Sequence, residues 1–123
     1  MVNDTFGHPE GDRVLKGVVR TIQDHIRRLD LLARYGGEEF VVLLPETPTE
    51  GGERTAEKIR RAVAGSRLLR KRQPALPVTL SIGVAGFPEA GESPAEILRA
   101  ADQALYRAKS LGKNRVVVSG TEE

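Results

Sequence analysis

The chain has 123 residues, 39% of them hydrophobic and 29% charged, with a formal net charge of +2. This is the composition of one soluble globular domain with a real core; the small charge makes no case for nucleic acid, and no apolar run approaches the ~20 residues that cross a bilayer. The absence of cysteine excludes disulfides and thiolate metal sites and suits a cytoplasmic location, and Met1-Val2-Asn3-Asp4 lacks the pattern of a signal peptide.

The first predicted element is a helix. Val14, Leu15, Val18, Val19, Ile22, Ile26 and Leu29 recur at three- and four-residue steps and make one apolar stripe. Pro9 fits the first turn, and Glu10 and Asp12 sit where a helix N-terminus favours acids. Two apolar runs follow, Leu31 to Tyr35 and Phe40 to Leu44, joined by Gly36-Gly37-Glu38-Glu39. Two such runs with a short glycine-bearing connection read as a β-hairpin, closed by Pro45. A second helix is expected over about residues 51 to 64, with Ala56, Ile59, Ala62 and Val63 facing inward. A linker rich in basic residues and proline then runs through Pro77. Its densest stretch, Arg67 to Arg72, has no interleaved aromatic residue and reads as solvated surface.

Val78, Leu80, Ile82 and Val84 alternate with Thr79, Ser81, Gly83 and Ala85, the pattern of a strand. The last helix has clear punctuation: Ser93 as cap, Pro94 in the first helical position, Glu96 completing a capping box and Gly112 as the stop. Ile97, Ala101, Leu105 and Ala108 form its buried stripe, and Arg115 to Val118 reads as a closing strand. The order α-β-β-α-β-α-β implies an α+β fold, a largely antiparallel central sheet flanked by helices.

Three segments have the residue types for chemistry. Glu38 and Glu39 are adjacent carboxylates at a hairpin tip, hard oxygen ligands suited to Mg²⁺. Gly36 and Gly37 before them leave the backbone open to a phosphate chain. The same four residues also make an ordinary polar turn. Asn3 and Asp12 together offer an amide and a carboxylate, the groups that match the donors and acceptor on a guanine edge; a loop residue and a helix-start acid are the plainer reading. Lys109 and Lys113 flank a helix end. Ammonium groups there hold phosphates as point charges, or simply complement the helix C-terminus. His8 has one fellow histidine, so no histidine metal cluster can form.

Taken together, the segments resemble one family. Arg34-Tyr35-Gly36-Gly37-Glu38-Glu39-Phe40 is similar to the signature hairpin of GGDEF domains in its GGEEF form. Asn3-Asp4-Thr5-Phe6-Gly7-His8 with Gly11-Asp12, then Leu80 to Ala85, Ala100 to Lys109 and Gly112-Lys113-Asn114-Arg115 resemble the family's other motifs, in order and over nearly the whole chain. The resemblance implies a nucleotide-cyclase, ferredoxin-like arrangement and the condensation of two GTP molecules into cyclic di-GMP. It implies a homodimer in which each chain holds one GTP, with Mg²⁺ or Mn²⁺ as cofactor. Glu38 would bind the metal. Glu39 would assist the metal or activate the attacking 3′-hydroxyl. Asn3 and Asp12 would hold guanine with Leu15 lining its pocket, and Lys109 and Lys113 would meet the β- and γ-phosphates. Arg27 and Asp30 stand where the family carries an RxxD site that binds the product and inhibits, and Lys58 stands where many relatives carry a second arginine.

Relatives also have, ahead of Val2, a helix and an apolar strand with a metal-binding aspartate. Residues 1–119 are therefore expected to form a GGDEF domain lacking that first strand, with 120–123 as a tail, and its vacant place in the sheet is expected to need a partner chain. A cyclic di-GMP receptor without catalysis and an inactive fragment are the competing expectations.

Overall fold

A computed structural model describes residues 2–5, 11–36, 39–65 and 78–121, with 2–5 and 11–13 placed by their backbone. The described residues form strands β1 (Val2–Thr5), β2 (Leu31–Gly36), β3 (Glu39–Leu43), β4 (Thr79–Val84) and β5 (Val116–Val118). They also form helices α1 (Gly11–Gln23), α2 (Thr49–Ala64) and α3 (Pro94–Ser110). The strands join in one sheet of order β2-β3-β1-β4-β5, antiparallel except for the β4–β5 pair. The expected α+β architecture, a largely antiparallel sheet flanked by helices, is the one observed.

The element order departs from the sequence reading at the start. Val2–Thr5 runs as a strand between β3 and β4, with Val2 opposite both Phe40 and Ile82, and Asn3 opposite both Glu39 and Ser81. The centre of the sheet is thus filled from within the chain, where a vacant strand position had been expected. Without a strand there, the facing edges of β3 and β4 would each leave backbone donors and acceptors unpaired. Asn3 and Asp4 are weak strand formers, so local sequence carries no sign of a pairing that its neighbours impose.

Alternation divides the side chains between two faces. Phe40, Leu80 and Ile82 face α1 and α2, closing a core with Val14, Val18, Ile22, Ala56, Ile59 and Val63. On the other face α3 lies along β4 and β5, packing Ala101, Leu105, Ala104 and Ala108 against Val41 and Val117. The sheet beneath β2 and β3 is less covered there. Leu31, Tyr35 and Leu43 are exposed, and Tyr35 and Leu43 line an apolar cavity of about 940 Å³ together with Ile97 and Leu98.

The first helix is shorter than its apolar stripe. It ends at Gln23, and Ile26 packs on the core from the following turn while Leu29 is exposed. The helix closes with His25 N–H donating to Ile22 O, and a tight turn follows: Asp30 N–H donates to Arg27 O, and Arg27 N–H donates to Asp30 Oδ2 at 2.7 Å. Pro9, Glu10 and the linker through Pro77 lie outside the described residues. The third helix starts as its signals indicate, with Ser93 Oγ accepting from Glu96 N–H at 3.2 Å. The Glu96 carboxylate reaches back to Glu92 N–H rather than to Ser93.

Gly83 shows how closely α3 approaches the sheet. A Cβ at this position would lie 2.3 Å from Ala101 O and 2.4 Å from Leu105 N, both backbone atoms that cannot swing aside. Gly83→Ala is therefore expected to cost about 1–3 kcal/mol, the scale of overpacking in a filled core. Thermal melting reads this out, and an unchanged midpoint would contradict the packing described.

Candidate functional site

The hairpin and the last helix converge at one end of the sheet. Glu39 opens β3, immediately after a bulge that sets Gly36 opposite it. Lys109 occupies the last turn of α3. Because Phe40 points into the α1–α2 core, Glu39 projects to the other face, the one α3 covers. There Lys109 Nζ lies 3.9 Å from Glu39 Oε2, both side chains about one-third exposed. A pair at that distance and exposure contributes little to stability, and both side chains are partly open to solvent. Gly37 and Glu38 lie outside the described residues. β1 brings the backbone of Asn3 beside Glu39, and Asp12 lies in the first turn of α1. Leu15 is partly buried against the main core.

Among the described residues no three His, Cys, Asp or Glu side chains converge on a metal site. Among the described side chains where the hairpin and α3 meet, Glu39 supplies a partly open, hard-oxygen donor. Mg²⁺ commonly takes one or two carboxylates plus substrate phosphates and keeps several waters, so this donor set fits an ion that arrives with a nucleotide.

Lys113 sits beyond α3 in a turn that sequence spacing does not reveal. Gly112, Lys113 and Asn114 all have positive φ, at 122°, 66° and 50°. Asn114 N–H donates to Ser81 Oγ at 3.2 Å, and Asn114 Oδ1 accepts from Arg60 Nη1 at 2.8 Å. Arg60 in turn grips Glu57 with Nε and Nη2, at 3.0 and 2.6 Å, and Arg61 Nε donates to the same carboxylate. The Arg60 hydrogen bonds, aided by Arg61, pull the Glu57 carboxyl down to about 2. Arg60, Ser81 and Asn114 are far apart in sequence, so no local pattern singles out their meeting.

Arg27 and Asp30 are brought together, and mainly with each other. Arg27 Nη2 donates to Asp30 Oδ1, Pro45 O and Thr47 Oγ1, each at 2.8 Å, tying the turn before β2 to the loop after β3. The Arg27 guanidinium holds the Asp30 carboxyl below the usual carboxylate range. The Asp30 side chain is only 2% exposed whereas that of Arg27 is 50% exposed. Arg27 is thus the member of the pair that a ligand can reach, with Asp30 as its holder. Lys58 lies exposed on α2. No described helix is long and apolar enough to cross a membrane.

Comparison with known proteins agrees with this layout. The family profile described as "Diguanylate cyclase, GGDEF domain" matches residues 1–115. The probable diguanylate cyclase DgcT of Escherichia coli is 52% identical over 120 residues, 95% of this chain and 26% of that protein. Diguanylate cyclase DgcP of Pseudomonas aeruginosa is 45% identical over 96% of this chain, which spans only 17% of its length. Among solved structures, the active GGEEF domain of a diguanylate cyclase from Vibrio cholerae superposes with a TM-score of 0.87 at 30% identity, covering 98% of this chain and 81% of that one.

Proposed function

The chain belongs to the diguanylate cyclase GGDEF-domain family, and from that membership we propose that it carries the GTP site of an enzyme joining two GTP molecules into cyclic di-GMP and two pyrophosphates. The observation that carries this reading is the meeting of Glu39 and Lys109 at 3.9 Å. A carboxylate and an ammonium at that separation suit the two charges of a metal–triphosphate: the carboxylate takes the ion and the ammonium takes terminal phosphate oxygens. Glu38 and Glu39 would hold Mg²⁺ or Mn²⁺, which when bound neutralises phosphate charge. Glu39 also stands to take the proton of the 3′-hydroxyl. Lys109 and Lys113 anchor the β- and γ-phosphates as point charges. Asn3 and Asp12 hold the guanine edge and Leu15 borders its pocket.

Each GTP needs the other as its acceptor, so two chains must face each other, each presenting one nucleotide. The protein's role is positioning and charge neutralisation, which dominate phosphoryl transfer. The half-exposed guanidinium of Arg27, backed by Asp30 and with Lys58 as a further cation, is the inhibitory contact for product. A cytoplasmic location follows from a GTP substrate. A solved GGDEF domain of DgcB from Caulobacter crescentus, 32% identical with a TM-score of 0.84, is in complex with c-di-GMP, which supports product binding on this fold.

The test is to incubate the full-length protein with GTP and Mg²⁺ and separate the nucleotides. Cyclic di-GMP and pyrophosphate are expected in a 1:2 ratio. Unchanged GTP with tight cyclic di-GMP binding would replace the cyclase with a receptor, and unchanged GTP without cyclic di-GMP binding would overturn both readings.

A further inference from the structure

Resting on the GTP-site reading, we propose that Arg60 is a positioning residue for Lys113, acting through Asn114, so that α2 sets the grip of the site on the terminal phosphates. Lys113 and Asn114 are non-glycine residues with left-handed backbone, at φ 66° and 50°. Such a conformation disfavours a lysine, and it persists only where surrounding contacts impose it. The contacts are on hand. Lys113 N–H donates to Ala108 O at 2.9 Å and Gly112 N–H to Lys109 O at 3.3 Å, closing the end of α3. Asn114, a residue type that tolerates this region, is held at both its backbone and its side chain: by Ser81 of β4 and by Arg60 of α2.

Arg60 is suited to the task because its guanidinium is already immobilised. Two of its nitrogens are bound to Glu57, which stays ionised throughout the neutral range, and its side chain is only 18% exposed. The third nitrogen is left aimed at Asn114 Oδ1. A lysine in place of Arg60 would lack the rigid fork that binds Glu57 and Asn114 at once. The strained residue inside this brace is the phosphate-binding lysine itself. The brace thus pre-pays the ordering that an exposed ammonium at a helix end would otherwise pay on binding.

The experiment measures GTP and GMP affinity in the presence of Mg²⁺, together with hydrogen exchange of the Lys113 amide. GMP lacks the β- and γ-phosphates that Lys113 would meet. Arg60→Ala is expected to weaken GTP binding about 3- to 10-fold, less than losing a phosphate contact outright because Lys113 itself remains, with GMP affinity unchanged and faster exchange at Lys113. Asn114→Gly, which keeps the left-handed turn and the backbone bond to Ser81 but loses the Arg60 contact, is expected to do the same without disturbing α2. Equal weakening of both nucleotides would overturn the proposal in favour of a general structural role. Selective loss of GTP affinity in Lys113→Ala but not in the Arg60 and Asn114 variants would overturn it while leaving the GTP site standing. Absence of GTP binding by the wild-type protein would remove the GTP-site reading and the proposal together.

Discussion

Glu39→Gln in the full-length protein is expected to lower cyclic di-GMP formation by about 10²-fold or more, the usual scale for losing a charge that acts on the transition state. Glutamine keeps the size of the side chain and removes its negative charge, which lies 3.9 Å from the Lys109 ammonium. The partly exposed pair adds little to stability, so the melting temperature should hardly move, which separates a catalytic loss from a folding loss. Glu38→Ala is expected to lose at least as much, since Glu38 is the carboxylate proposed to bind the metal. Steady-state production of cyclic di-GMP checks both variants. Near-wild-type turnover in either one would remove that carboxylate from the mechanism.

Arg27→Ala is expected to weaken cyclic di-GMP binding roughly 10- to 100-fold, as loss of a charged hydrogen-bond donor does. It also leaves Asp30, whose side chain is almost wholly buried, without its cation. The protein should therefore become less stable, and the variant needs a melting curve beside its calorimetry. Arg27→Lys keeps the charge but not the planar fork that reaches Asp30, Pro45 and Thr47 together. It is expected to fall between wild type and alanine. Equal affinities in all three proteins would place product binding elsewhere.

The hairpin and α3 were legible in the sequence because their signals are local. Two apolar runs joined by Gly36-Gly37-Glu38-Glu39 mark two strands, and Ser93, Pro94 and Glu96 mark a helix start within four residues. β1 was not legible. Asn3 and Asp4 carry no strand preference, and their conformation is set by the edges of β3 and β4, which sequence proximity does not reveal. The end of α1 is hidden for a similar reason: the apolar stripe continues to Leu29, but the helix stops at Gln23 and residues 27–30 form a separate tight turn.

The candidate site divides the same way. Glu38, Glu39, Lys109 and Lys113 stood out by charge and motif, whereas Arg60 and Ser81 did not, since their role depends on meeting Asn114 across the fold. The spacing of Arg27 and Asp30 points to a ligand site, with a helix-end ion pair as the plainer alternative. The structure shows the ion pair, and also shows that it leaves Arg27 half exposed.

The central claim is that Glu39 and Lys109 together hold the metal–triphosphate of GTP. A crystal structure of the full-length protein with Mg²⁺ and a non-hydrolysable GTP analogue tests it most directly. The expected result is triphosphate density between the two side chains, with Lys109 on terminal phosphate oxygens and Glu39 turned to the ion. A nucleotide seated elsewhere, with the Glu39–Lys109 pair still closed at its present 3.9 Å, would contradict it.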